Sequence, residues 1–239
     1  LVFVNIVMKV IEEEQPTHFA VAFDVHEKTF RHKMFEAYKG TRKGMPDELR
    51  EQVPLIKELL HAMNVTVLEA TGFEADDILG TMSRRGEEAG MLVTVLSGDR
   101  DLLQLATEKV LIKIPKTKGG QTTVENYHAK DVFALYGVTP KEFIDMKGLM
   151  GDASDNIPGV PGIGEKTAGK IIAAYHSIEE AHEHIAEIKP KKAMENLSEY
   201  YEQALMSKLL ATIKLDVPLE QDFKDMMFAN LFTNEAYEL

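Results

Sequence analysis

Eight carboxylates stand in four short clusters: Asp24, then Glu74, Asp76 and Asp77, then Asp99 and Asp101, then Asp152 and Asp155. Each cluster lies in or just beyond a segment that reads as a strand end or a turn. Carboxylates gathered on one rim repel, so a fold that brings them together needs cations to neutralise them. Oxygen-only donors in a chain without Cys suit hard Mg²⁺ or Mn²⁺ rather than zinc. The pattern points to metal-dependent phosphoryl transfer, and it requires strand ends far apart in sequence to face one way.

The segments between the acids supply such strands. HFAVAFD (18–24) and MLVTVLSGD (91–99) read as buried parallel strands ending in Asp24 and Asp99. Between them lie the amphipathic PLIKELLHAMN (54–64), a short strand NVTVLEA (64–70), and a helix ADDILGTMSRRGEEAG (75–90) closed by Gly90. This βαβα alternation predicts a parallel sheet, with ligands outside the carboxyl ends of its strands. KVLIKIPK (109–116) is a further strand, TKGGQ a turn, and HAKDVFALYG (128–137) a helix stopped at Gly137. From Thr139 the texture changes to PKEFIDMKGLMG, EKTAGKIIAAYH, SIEEAHEHIAEI and NLSEYYEQALMSKLLATI, all helical. TIKLDVPL (212–219) reads as a strand returning to the sheet. The expected division is an α/β core over 1–139 and a helical region over 140–239.

The opening LVFVNIVMKV is apolar but too short to span a membrane and lacks a cleavage signal. Phe3, Ile6, Val7, Val10 and Ile11 recur at helical spacing, so a buried helix is expected. A first residue other than Met suggests a fragment. Absence of Cys excludes disulfides and thiol catalysis and fits a reducing, cytoplasmic setting. His182 and His184 are the closest histidine pair, on a helix that reads as solvated, and no HExxH occurs, so zinc hydrolysis has no support.

A formal charge of −12 argues at first sight against nucleic acid. The eight clustered acids make up most of that excess, and bound cations would reverse it locally. Lys28, Arg31, Lys33, Lys39, Arg42 and Lys43 stand against the single acid Glu36, interleaved with Phe30, Phe35 and Tyr38. Such a segment can stack on bases and engage phosphates, with Arg31, Tyr38, Lys39 and Arg42 as candidate DNA contacts. GVPGIGEKTAGKII (159–172) is a glycine-rich hairpin leading into a helix. Its Gly162, Ile163, Gly164, Lys166 and Thr167 can present backbone N–H groups to a phosphate without reading bases.

Each piece has a plainer reading. Acids in TGFEADDILG suit a helix start, SGDRD and GDASDN suit Asx-turns, and a basic helix can merely be solvated. Capping of one helix does not account for acids at three other strand or turn ends.

In this order and spacing, AFD, TFRHKMFEAYKGTR, GFEADD, SGDRDLLQL and GDASDNIPGVPGIGEKTAGKI closely resemble the 5′→3′ exonuclease domain of bacterial DNA polymerases I, itself similar to the flap endonucleases. The resemblance implies a PIN-like α/β nuclease core, an arch or clamp carrying YKGTR, and a helix-hairpin-helix unit gripping duplex DNA. It places Asp24 and Asp76 on a first metal, and Asp76, Asp99 and Asp101 on a second. Glu74, Asp77, Asp152 and Asp155 become direct or water-mediated supports, and Val160–Ile163 a K⁺ site. Lys39 and Arg42, with Asp76 and Asp99, are the implied catalytic groups, and two Mg²⁺ or Mn²⁺ ions the implied cofactors. The implied substrate is nicked, flapped or 5′-ended DNA or an RNA primer on DNA, cut in replication and repair. No membrane is involved; a monomer is expected, with a polymerase portion after DVPLEQDF (216–223), which resembles the family's last strand.

Family members begin with a strand of the form LLxDGxS bearing a further Asp, which this sequence does not contain. The resemblance therefore implies either that the native protein carries that strand upstream of Leu1, the favoured reading, or the alternative, a catalytically crippled fragment that binds DNA structure. A single-strand RNase is disfavoured by the duplex-gripping hairpin.

Overall fold

The computed structural model describes residues 2–118 and 121–228. Its helices are α1 (Val2–Glu14), α2 (Phe30–Met34), α3 (Asp47–Ala62), α4 (Ala75–Glu88), α5 (Ala129–Tyr136), α6 (Pro140–Met150), α7 (Glu165–Tyr175), α8 (Ile178–Glu183), α9 (Lys191–Glu199) and α10 (Tyr201–Ala211). The strands are β1 (Ala20–Ala22), β2 (Thr66–Leu68), β3 (Val93–Leu96), β4 (Val110–Lys118) and β5 (Gln121–Tyr127). Two compact units result: 1–27, 43–78 and 217–239 form the first, and 28–42 with 79–216 the second. Among the described residues no helix is long and apolar enough to cross a membrane.

In the first unit β1 and β2 pair in parallel, Ala20 opposite Thr66 and Ala22 opposite Leu68. Leu60, Met63 and Val65 form its buried centre, packed by Met8, Phe19, Val21, Phe23 and Ile56. Helix α1 buries Val7, Val10 and Ile11, three of the residues whose spacing predicted it. The chain returns to this unit at Met226–Phe228, where Phe19 N–H donates to the Met226 carbonyl at 2.8 Å and Phe228 N–H to that of Thr17 at 2.9 Å.

In the second unit β3 pairs in parallel with β4, and β4 in antiparallel with β5. The expected single parallel sheet is thus corrected: among the described residues β1 and β2 form a parallel pair, and β3, β4 and β5 form a separate sheet of mixed pairing. The turn expected at TKGGQ includes Gly119 and Gly120, which lie outside the described residues. A large core covers the sheet, with Val95, Leu102, Ile112, Phe143, Met146, Leu149, Ile172 and Leu197 at its centre. Helix α6 starts on a capping box, Glu142 N–H to Thr139 Oγ1 at 3.2 Å and Thr139 N–H to Glu142 Oε2 at 2.7 Å.

Three further expectations are corrected. Residues 212–219 form no strand. Their backbone groups find side-chain partners instead: Ile213 N–H donates to Gln104 Oε1 at 2.9 Å, and the Lys214 carbonyl accepts from Thr81 Oγ1 at 3.4 Å. DVPLEQDF is likewise strandless, its end forming a 3₁₀ turn at Phe223–Met226. The helix expected from Asn196 onward is broken at Tyr200, with φ −105 and ψ 25 between α9 and α10.

Candidate active site

The four acidic clusters meet two by two. In the first unit Asp24 lies just past β1, and its Oδ1 accepts the Ala75 N–H at 2.7 Å, joining the strand end to the start of α4. Asp76 and Asp77 occupy the first turn of that helix. Asp77 is fully buried and its Oδ2 accepts the Glu74 N–H at 3.0 Å, so this acid fixes the helix start.

In the second unit Asp99 and Asp101 follow β3, and Asp99 Oδ1 accepts the Asp101 N–H at 2.8 Å. Between these acids Arg100 turns its guanidinium to β5 and α5. It donates to Tyr136 Oη at 3.1 Å, Tyr127 Oη at 3.2 Å and Glu125 at 3.2 Å. Asp152 and Asp155 sit in a turn after α6, closed by the mutual backbone bonds of Asp152 and Ile157 at 2.9 and 2.8 Å. Gly151 and Gly159 flank that turn with φ of +69 and +60, and a Cβ on Gly159 would collide with the Gly151 amide. Only glycine permits both the left-handed backbone and the close approach.

Lys147 joins the two turns. Rising from α6 and 6% exposed, it places Nζ 2.8 Å from Asp101 Oδ1 and 2.6 Å from Asp152 Oδ2. Asp152 Oδ1 meanwhile accepts from Ser154 N–H at 2.8 Å and Ser154 Oγ at 2.6 Å. Burial pushes the Asp101 carboxyl up to about 6, with Lys147 opposing the rise and Asp99 adding to it. Burial also works against charge on Asp152, but bonds from Lys147 and Ser154 outweigh it and bring that carboxyl down to about 2. The two acids share one ammonium yet shift oppositely. Asp152 has donors on both oxygens and is the firmer partner. Lys147 loses by burial but is raised overall by the two carboxylates.

Asp99, Asp101, Lys147, Asp152, Ser154 and Glu165 line one cleft of about 470 Å³. The oxygen donors suit a hard divalent cation. Among the described residues, however, no three His, Cys, Asp or Glu side chains are grouped to hold an ion as they stand. In the second unit Lys147 and turn N–H groups occupy carboxylate oxygens of Asp99, Asp101 and Asp152.

The basic segment docks on the Asp155 turn. Lys39 N–H donates to the Asp155 carbonyl at 2.8 Å, and Arg42 pairs with its carboxylate. Two expected DNA contacts lie buried: Arg31 and Tyr38 are 2% and 3% exposed. Arg31 donates from Nε to the Leu210 carbonyl and from Nη2 to that of Thr212, both at 2.8 Å, closing the end of α10. Tyr38 packs with Ile157, Leu210 and Ala211. In the hairpin Ile163 is also buried, so only its backbone remains available, whereas Gly162, Gly164 and Lys166 are exposed. The Pro161 carbonyl accepts from Asn196 Nδ2 at 2.6 Å, and the Val160 carbonyl from Ile163 N–H at 3.1 Å.

Sequence reasoning missed Lys147 and Arg100. The signal for Lys147 was a charge on the core face of α6, four residues after Phe143 and among the buried Met146 and Leu149. Arg100 carried no pattern beyond its place between two acids.

An α/β architecture with a mixed sheet and a helical C-terminal region resembles the fold of the T5 5′-exonuclease. The zinc-bound structure of that protein superposes with a TM-score of 0.73 at 24% identity, covering 87% of this chain and 79% of the other. The catalytic core of Rad2 bound to DNA gives 0.54 at 15%, covering 88% and 68%. At these identities the likeness concerns fold alone. The chain belongs to the 5′-3′ exonuclease family: residues 1–137 match its N-terminal resolvase-like domain and 138–233 its C-terminal SAM fold. Similar sequences include DNA polymerase I of Bacillus subtilis, 52% identical over 91% of this chain, and of Bacillus caldotenax, 48% over 95%. The chain spans 24% and 26% of those proteins.

Proposed function

We propose that the chain hydrolyses phosphodiesters near the 5′ ends of DNA strands, or of RNA primers paired with DNA, at nicks and flaps. The observation that carries this reading is the cleft of the second unit, where the turns at 99–101 and 152–155 meet around one cation. Family membership supports it, as does the likeness to the T5 D15 flap endonuclease, a protein solved with DNA and metal ions.

Asp24, Glu74, Asp76 and Asp77 in one unit, and Asp99, Asp101, Asp152 and Asp155 in the other, would hold two Mg²⁺ or Mn²⁺ ions. Such ions supply charge against the scissile phosphate and acidify the attacking water. Lys39 and Arg42 neutralise charge on the phosphoryl oxygens. Asp155 sets where they start from, since both are paired with it. Gly162, Gly164, Lys166 and Thr167, with the Ile163 backbone, take duplex phosphates at the start of α7, and the Val160–Ile163 carbonyls are the K⁺ candidates. On this reading 1–139, PIN-like, carries most of the acids and the basic segment, and 140–239 adds Asp152 and Asp155 and, with its helix-hairpin-helix, carries the grip. The setting is cytoplasmic DNA replication and repair.

Turnover on a nicked 5′-flap duplex at saturating Mg²⁺ tests it. Asp99→Asn removes a charge needed to retain the ion and should reduce turnover at least about a hundredfold. Near-normal turnover would overturn the assignment.

A further inference from the structure

Lys147 is unused by the proposed chemistry, yet it is the cation that joins the two acidic turns of the cleft. We infer that it is a resident counter-cation, holding Asp101 and Asp152 together in the metal-free protein, and that a divalent ion binding these acids must displace it. The inference rests on the reading of those acids as metal ligands.

A buried ammonium is tolerated only where carboxylates replace its water, and removing one member of such a group leaves the others uncompensated. Lys147 meets that condition through two carboxylates from turns about fifty residues apart. The same contacts relieve the repulsion between Asp101 and Asp152, so the acidic turns stay assembled without metal. Geometry then sets up competition. Mg²⁺ draws oxygens to about 2.0–2.1 Å, nearer than either N–O distance at Lys147, 2.8 and 2.6 Å. The carboxylates cannot close on an ion while Nζ stays between them, and an ammonium left beside the ion would repel it. A lysine suits this role, being a compact point charge on a flexible stem that can swing aside. The cleft, with Ser154 and Glu165 on its wall, gives the ammonium a place to move.

A residue that merely braced the ligands would lower metal affinity when removed; a competitor raises it. Lys147→Met in the full chain should therefore melt at lower temperature in EDTA, bind Mn²⁺ about tenfold or more tightly, and gain more stability from Mn²⁺ than the parent. Free Mn²⁺ counted by electron paramagnetic resonance gives the affinity, and thermal unfolding gives the other two. Unchanged or weaker Mn²⁺ binding by Lys147→Met overturns the inference. Should that variant fail to fold, Lys147→Arg keeps the charge and must bind Mn²⁺ no more tightly than the parent; tighter binding overturns the inference equally. Asp99→Asn separates the role of Lys147 from the metal site itself. If it abolishes parental Mn²⁺ binding while Lys147→Met changes nothing, only the role of Lys147 falls. If neither parent nor Lys147→Met binds Mn²⁺, the metal reading falls, and this inference with it.

Discussion

The Arg42 guanidinium is held by the Asp155 carboxylate, 113 positions away in the sequence, and its Nε donates to the neighbouring Ser154 carbonyl at 3.1 Å. Asn156 Nδ2 adds a bond to the Ala37 carbonyl at 2.7 Å, and Tyr38 Oη one to Asp155 at 3.3 Å. The basic segment is thus positioned by the acidic turn after α6. Asp155 acts first as an anchor for cations.

Asp155→Asn keeps the shape of the side chain and removes its charge. Arg42 is half exposed, so solvent screens part of its pairing, while Asp155 itself is buried. A loss of about 1–2 kcal/mol in urea unfolding is expected. Faster tryptic cleavage at Lys39 and Arg42 should accompany it. Cleavage at the parental rate would show that the segment is held without the Asp155 charge.

Arg31 gives a contrasting case within the same segment. Its burial and its two bonds to the end of α10 make it structural. Arg31→Met should cost about 1–3 kcal/mol by leaving those carbonyls without their charged donor. It should leave the salt dependence of DNA binding unchanged, whereas removing a cation that neutralises a phosphate lowers the log–log slope by about 0.9. A shallower slope would return Arg31 to the DNA surface.

The sequence made most elements legible because their apolar periods and stop signals agree, as at Gly137, which caps α5 in the left-handed conformation. It failed where partners are distant. Nothing local says that Ile213 N–H meets Gln104 rather than a neighbouring strand. The β4–β5 hairpin is readable in part: TKGGQ marks the turn, but the returning strand QTTVENY is polar on both faces and carries no apolar period to announce it. The site shows the same division. Acid clusters announce themselves by type and spacing, whereas the cation between two of them, Lys147, is one charge in an apolar helix and becomes meaningful only when two turns fold onto it.

The hairpin offers a test that separates binding from folding. Gly162 has φ +77, so any side chain there is strained by about 1 kcal/mol or more, and a Cβ would meet Asn196 Nδ2 at 3.2 Å. Gly164 precedes α7 at φ −90, and a Cβ there meets nothing within 4 Å. Gly164→Val should leave the melting temperature within about 2 °C of the parent, as surface changes usually do. By blocking close approach to the helix-start N–H groups it should weaken binding by a similar factor on two unrelated duplexes, read by fluorescence anisotropy. A loss confined to one duplex would mean that the hairpin reads bases.

Glu142 ties the start of α6 to the end of α7, since its Oε1 lies 2.6 Å from His176 Nδ1 while Oε2 accepts the Thr139 N–H. Burial works against its charge, but the bonds from Thr139 and His176 outweigh it and hold the carboxyl below its ordinary 4.5. The folded state therefore binds fewer protons than the unfolded state as pH falls past that value. The stabilisation is complete above 4.5 and is lost as pH drops through the lower folded-state value. Glu142→Gln can still cap Thr139 N–H and loses only the charge, so at pH 7 it should cost a few tenths of a kcal/mol to about 1 kcal/mol, with solvent screening favouring the low end. Urea unfolding of parent and variant from pH 7 down to about 3 should show the two curves converging, because the parental carboxyl becomes neutral like the amide. A gap that stays constant over that range would mean that shape at the helix start, and not charge, is what Glu142 contributes.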